Sequence, residues 1–209
     1  MTRKKALAII LLILLADQAL KIYIKTHFYL GQSYHVTDWF QILFVENRGM
    51  AFGLEPGGKT GKYILTFLRI VAVGAIAYWL HLAIKQGKSL LAFSLALILA
   101  GALGNIIDSV FYAEIFSGSF HTPAELFPSD GGYGKWFQGK VVDMFYFPLF
   151  EIRFPEWLPL IGGKTYTFFN AIFNLADASI TVGVAIMLLF HKKIFHSDKK
   201  PFHHQPLNF

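Results

Sequence analysis

The sequence predicts an all-α membrane fold, a bundle of four transmembrane helices, and three observations carry that prediction. The 209-residue chain is 55% hydrophobic and only 15% charged, with a mean hydropathy of +0.47, too apolar for an ordinary soluble domain. Four apolar runs, at roughly 6–24, 63–84, 89–111 and 167–190, each come near the ~20 residues that a bilayer core requires. Lysine and arginine collect at the ends of those runs on one side, which is the pattern of membrane topology.

The first run follows Arg3, Lys4 and Lys5 and has the look of a secretory signal. It continues through "ADQALKIYI" with no small-residue cleavage site, so a retained span is expected. Arg3, Lys4, Lys5, the Lys85/Lys88 loop and Lys192, Lys193, Lys199 and Lys200 all fall on one side of the four runs, accompanied by a single acid, Asp198. That side is expected to be cytoplasmic, with both termini inside. The segments at roughly 25–62 and 112–166 then face outward. A single four-span domain over 1–191 is expected, followed by a basic, His-containing cytoplasmic tail, 192–209, expected to be disordered. The net charge of +6 does not imply nucleic acid, because the basic residues are not interleaved with aromatics on one segment.

Three acids lie inside the apolar runs: Asp17, Asp108 and Asp177. With the expected orientation, all three fall in the outer half of the membrane. A carboxylate at such depth is costly and commonly functional. Asp17 and Lys21 are spaced i, i+4 and read as a neutralised tie between helices. Asn105 and Asp108 stand i, i+3, and Asn174 and Asp177 repeat that spacing, with Asn170 one turn earlier. An Asn one turn from an Asp can hold its carboxylate or bind a substrate backbone. Asp177 has no Lys or Arg within a turn. On depth alone, Asp108 is its obvious partner.

Two outer stretches add polar residues. "VENRGMAFG" (45–53) sets Asn47, Arg48 and Gly49 into an apolar run, and Gly49 and Gly53 permit tight or closely approached backbone. "GKVVDMFYFPLFEIRF" (139–154) alternates in part and is rich in β-favouring residues, so an extended segment is expected. Asp143 within it reads first as an ordinary strand-surface charge.

Several chemistries are excluded. The chain has no cysteine, hence no disulfide and no thiolate nucleophile. It contains no H-E-x-x-H, no G-x-S-x-G and no P-loop, and its histidines lack ligand spacing, so no metal and no cofactor is expected. Carboxylate and carboxamide chemistry remains. Two neighbouring carboxylates do not both ionise easily, and one can hold a proton while the other activates water. A small proton-coupled transporter using its membrane carboxylates and a non-enzymatic scaffold are the competing classes. The transporter is weakened by the lack of polar residues leading toward the inner side.

The order of five motifs then narrows the field. "DQALK" (17–21), "NRGMAFG" (47–53), "GALGNIID" (101–108), "GKVVDM" (139–144) and "FNLADASI" (173–180) resemble those of the lipoprotein signal peptidases, also called signal peptidase II. The resemblance runs through the fourth span. It implies a bacterial inner-membrane aspartyl endopeptidase that removes the signal peptide from prolipoproteins, cutting before a diacylglyceryl-modified cysteine. It also implies inhibition by globomycin-type cyclic peptides, a site opening at the outer face of the membrane, and a small extracytoplasmic β element with a lid-like part over 32–58. The matched positions make Asp143 and Asp177 the catalytic pair, which replaces Asp108 as the partner of Asp177. Asn47, Gly49, Asn105, Asp108, Asn174, Asp17 and Lys21 become substrate-binding or supporting residues.

The chain departs from the family pattern twice. The family usually has Arg directly after G-N-x-x-D, and here that position is Ser109; Arg48 and Arg153 are candidates, by charge, to replace it. The gap from Asp108 to Asp143 is also longer than usual, which implies an inserted outer loop at about 109–140.

Overall fold

The computed structural model describes residues 1–49 and 58–195. Helix α1 (Arg3–His27) opens on Thr2, whose side chain accepts a hydrogen bond from the Lys5 amide, a standard N-cap. A β-hairpin follows, β1 (Ser33–Thr37) and β2 (Phe40–Asn47), then α2 (Gly58–Lys85) and α3 (Ser89–Ile115). The helices α1, Thr60–Lys85 of α2, and α3 are long and apolar enough to cross a membrane.

Helix α3 is the centre of the bundle, and its sequence explains why. It is rich in small residues along "LAGALGN", and these let neighbouring backbones approach closely. Leu91, Ala92, Leu95, Ala96 and Ala100 are buried against Ile10 of α1 and Leu80 and Ala83 of α2. By contrast Leu12 and Leu15 of α1 and Phe67 and Val71 of α2 are exposed, as expected of side chains that face lipid.

Beyond α3 the chain forms β3 (Val141–Tyr146), a hairpin of β4 (Phe150–Arg153) and β5 (Thr165–Phe168), the short β6 (Ile172–Phe173), α4 (Leu175–Leu189) and α5 (His191–Phe195). The extended segment expected around 139–154 is thus two strands. One antiparallel sheet has the order β1-β2-β3-β6, and β4-β5 stand apart as a second. The hairpin of β4 and β5 exposes Trp157, Leu160, Tyr166 and Phe168.

Two boundaries differ from the sequence expectation. The fourth apolar run was expected to be helical from about 167, but α4 starts at Leu175 and is 15 residues long. Residues 165–168 and 172–173 are β strands instead. "TYTF" favours extended backbone, and Asn174 then stops the helix from growing backward by capping it. Asn170 consequently sits in the β5–β6 loop, where it accepts from the Tyr146 hydroxyl, and not one helical turn before Asn174. At the other end α5 carries helix to Phe195; 196–209 lie outside the described residues, as do residues 50–57 of the expected 32–58 element, Gly53 among them.

The long connection before β3 is anchored to helix α3, which itself extends to Ile115. The amides of Gly134, Phe137 and Gly139 donate to the carbonyls of Ala113, Val110 and Ser109. A Cβ on Gly139 would stand 1.9 Å from the Asp108 carbonyl oxygen, so only glycine permits this approach. The loop therefore delivers β3 directly onto the polar end of α3. There Ile24, Phe44, Tyr112, Phe116, Val142 and Met144 form a second buried cluster beneath the sheet.

Candidate active site

The sheet and the fourth helix meet at one point. Strands β3 and β6 pair at Phe145↔Phe173 and Tyr146↔Ile172. Asp143 lies two residues before that ladder and Asn174 one residue after it, so the pairing sets the two side by side. Asn174 Nδ2 is 2.7 Å from Asp143 Oδ1. The same residue is the N-cap of α4, with Asn174 Oδ1 accepting from the Asp177 amide at 2.9 Å. Asp177 completes a capping box by accepting from the Asn174 amide at 3.4 Å. One asparagine thus holds both acids.

A second asparagine braces Asp177. Asn105 Nδ2 donates to Asp177 Oδ1 at 2.8 Å. Its own Oδ1 accepts from Lys21 Nζ at 2.9 Å and from Asn174 Nδ2 at 3.2 Å. The two carboxamides are oriented by these partners, and each presents nitrogen to one acid.

Asp17, Lys21 and Asp108 form a buried foundation beneath them. Lys21 Nζ lies 2.9 Å from Asp17 Oδ2 and 2.8 Å from Asp108 Oδ2, with all three side chains at most 1% exposed. A buried charge needs such full pairing. The remaining acceptor sites face the backbone: Asp17 Oδ1 takes the Ala176 amide at 2.9 Å, and Asp108 Oδ2 takes the Val142 amide at 3.2 Å. Asp17 therefore positions the first turn of α4, and Asp108 positions β3. The Asp17–Lys21 tie expected from the sequence is present. Asn105 and Asp108 share a helix face without bonding each other, and each reaches a different element.

Asp143 is 3% exposed, and its pKa is pushed up to about 7. Burial is the largest cause and the nearby Asp177 carboxylate adds to it; hydrogen bonds from Asn47 and Asn174 and the charge of Lys21 oppose the rise. Asp177 Oδ1 accepts from Asn105 Nδ2 and its Oδ2 from the Asn174 amide. An acid that titrates near neutrality beside a second carboxyl group is a set suited to general acid–base work on an amide. Among the described residues no group of three or more His, Asp or Glu is placed to hold a metal ion.

Sequence reasoning overlooked Gln18 and Arg69. Gln18 Nε2 donates to Asp17 Oδ2 at 3.1 Å and Asp108 Oδ1 at 3.0 Å, and its Oε1 accepts from the Tyr112 hydroxyl. It stands between Asp17 and Lys21 in the chain, which was the available signal. Arg69 is an arginine in an apolar span, itself a signal. It reaches Ser109 Oγ at 3.4 Å and the Gly49 carbonyl at 2.5 Å. Of the two cations considered from charge, Arg153 is not brought to the site: it is exposed on β4 and faces Glu156 at 3.9 Å. Arg48 is exposed, and its carbonyl accepts from Lys62.

Comparison with known proteins shows the family. The chain is 51% identical over 192 residues to the lipoprotein signal peptidase of Porphyromonas gingivalis, covering 91% of this chain and 84% of the relative. It is 36% identical over 196 residues to that of Amoebophilus asiaticus, covering 90% and 79%. A solved bacterial membrane enzyme superposes with a TM-score of 0.61 at 24% identity, over 95% of this chain and 94% of the other, so the fold is shared. A second gives 0.60 at 26% identity, over 91% and 94%. The family model described as Signal peptidase (SPase) II matches residues 9–193. With a model match over residues 9–193 and 51% identity to a lipoprotein signal peptidase across nine-tenths of its length, this protein belongs to the signal peptidase II family.

Proposed function

We propose that this protein cleaves the signal peptide from bacterial prolipoproteins immediately before a diacylglyceryl-modified cysteine, with Asp143 and Asp177 as its catalytic pair. The observation that carries the assignment is Asn174, bonded to Asp143 and capping the turn that holds Asp177. Asp143 holds the proton at the outset, in keeping with its raised pKa of about 7. Asp177 takes a proton from water, and the hydroxyl oxygen attacks the scissile carbonyl carbon. Asp143 gives its proton to the carbonyl oxygen, so the tetrahedral intermediate forms without a free oxyanion. Asp143 then recovers that proton as the carbonyl reforms, Asp177 protonates the leaving nitrogen, and the C–N bond breaks. Asn47, Gly49, Asn105 and Asn174 hold the dyad and substrate amides, while Asp17, Lys21 and Asp108 keep α4 and β3 in place.

The protein sits in the bacterial inner membrane with four spans, both termini cytoplasmic and the site at the outer face. The clustering of Ile10, Leu91 and Ile194 near the basic chain ends supports placing those ends together on the inner side. Helix α5 continues α4 and supports the fourth crossing. Lipid surrounds the bundle, and the signal helix enters laterally with its acyl chains in the outer leaflet. The test is incubation of purified protein with a diacylglyceryl-modified precursor, with and without globomycin. Cleavage that globomycin blocks and that Asp143→Asn and Asp177→Asn each abolish is the expected result. Near-normal turnover by Asp143→Asn would remove Asp143 from the pair.

A further inference from the structure

Arg69 occupies an unusual place. Its helix neighbours Phe67, Leu68 and Ile70 are exposed apolar side chains, yet Arg69 is only half-buried among them and turns its guanidinium inward. One nitrogen reaches the Gly49 carbonyl at 2.5 Å. Another lies 3.4 Å from Ser109 Oγ, whose hydroxyl is anchored to the Asn105 carbonyl at 2.9 Å. Arg69 thus connects α2 both to the turn after β2 and to the polar end of α3.

The turn leads to the catalytic pair in two short steps. The Gly49 amide donates to Asn47 Oδ1 at 2.8 Å. With its oxygen held there, Asn47 turns its amide nitrogen to Asp143, with which it hydrogen-bonds. Glycine suits position 49 because its φ is +94°, and the missing Cβ leaves the Arg69 guanidinium its place beside the turn. The small buried Ser109 leaves room for the guanidinium on the other side.

We propose that Arg69 is a positioning residue of this site: its guanidinium ties the Gly49 turn to α3 and thereby fixes the Asn47 amide against Asp143. The arginine fork is suited to this, since it meets two acceptors at once where a lysine meets one point. Its charge also acts on Asp177, Asp108 and Asp143. The charged groups that act on Asp143 are then Arg69 from α2, Asp177 from α4 and Lys21 from α1. Removing Arg69 loosens a donor to Asp143 and deletes a cation, and both changes make Asp143 hold its proton to higher pH.

The inference rests on the proposed peptidase reading for its turnover assay, and a second measurement is independent of it. Arg69→Gln should lower turnover of the diacylglyceryl precursor about tenfold to a hundredfold and move the alkaline limb of the pH–rate profile upward. Arg69→Lys, which keeps the charge but loses the fork, should recover part of the rate and leave the limb nearer to its original position. A merely structural role would lower rate and yield without moving the limb. The 13C titration of the Asp143 carboxyl in detergent should rise in midpoint in Arg69→Gln whatever the substrate. Wild-type protein that leaves the precursor intact counts against the peptidase reading alone. A 13C midpoint unchanged in Arg69→Gln overturns the Arg69 tie alone. If Arg69→Gln does not fold, Arg69→Lys decides: an unmoved 13C midpoint overturns the tie whatever the rate, and a slower enzyme with a raised midpoint supports it.

Discussion

Asn174 bonds Asp143 through its amide nitrogen and caps the Asp177 turn through its amide oxygen, at 2.7 and 2.9 Å. The two tasks can be separated. Asn174→Ser keeps an oxygen for the cap but has no nitrogen for Asp143. It should cost about 1–3 kcal/mol of stability, because the same nitrogen also donates to Asn105 and the Val142 carbonyl, and slow turnover about a hundredfold by freeing a reacting group. Asn174→Ala should lose about 1 kcal/mol more through the cap with little further loss of rate. Thermal unfolding in detergent, measured beside precursor cleavage, checks both; equal rates for wild type and Asn174→Ser would refute the bridge.

Asp143 also leaves a mark on stability. Its pKa is about 7 in the folded protein against the ordinary aspartate value of 3.8. Between those values the unfolded chain loses a proton that the folded one keeps, so stability falls as pH rises through that interval. Asp143→Asn removes the effect and still offers an oxygen to Asn174. The variant should match wild type near pH 4 and exceed it increasingly toward pH 7, by at most about 4 kcal/mol. A constant difference across the range would contradict the raised pKa.

The three long apolar helices were legible because hydrophobic length is a local property of the chain. The start of α4 was not, because "TYTFFNAIF" is apolar enough to extend a span while its pairings, with β4 at one end and β3 at the other, lie outside any local window. The acids were legible individually, since a carboxylate in an apolar run is conspicuous. Their partnership was not: depth pointed to Asp108 for Asp177, whereas the fold commits Asp108 to Lys21 and the Val142 amide. Only the motif order singled out Asp143, a strand residue that the loop over 116–140 brings back onto α3. Arg69 was missed because its partners, Gly49 and Ser109, are 20 and 40 residues away.

Lys21 joins two carboxylates in a site closed to solvent. Lys21→Met would leave Asp17 and Asp108 facing each other without a cation. Breaking a buried pair from one side costs about 3–5 kcal/mol, and here α4 and β3 both depend on the acids left behind. The variant should accumulate poorly and unfold well below wild type, with activity lost through the displaced dyad. Asp108→Asn keeps an oxygen for the Val142 amide and should be milder in both respects. Denaturation in detergent ranks them; a Lys21→Met protein as stable as Asp108→Asn would show that the pairing matters less than its burial implies.

Glu46 of β2 should give the opposite pH signature to Asp143. It meets Lys25 of α1 at 2.5 Å and Lys140 at 2.7 Å, and Lys25 is fully buried beside the rings of Phe44, Phe116 and Tyr133. Burial alone would raise the Glu46 pKa, but the two lysines outweigh it and hold the carboxyl below its usual value. A depressed carboxylate contributes stability that is present above its unfolded pKa and is lost as pH falls through the folded one. Glu46→Gln leaves Lys25 without its counter-charge and should cost about 3–5 kcal/mol at neutral pH. The gap between wild type and Glu46→Gln should stay wide down to about pH 4.5 and close below it, as wild type loses the same charge by protonation. Thermal unfolding of both proteins in detergent from neutral to acidic pH reads this directly, and a gap that stayed open in acid would assign the cost to lost packing rather than to the ion pair.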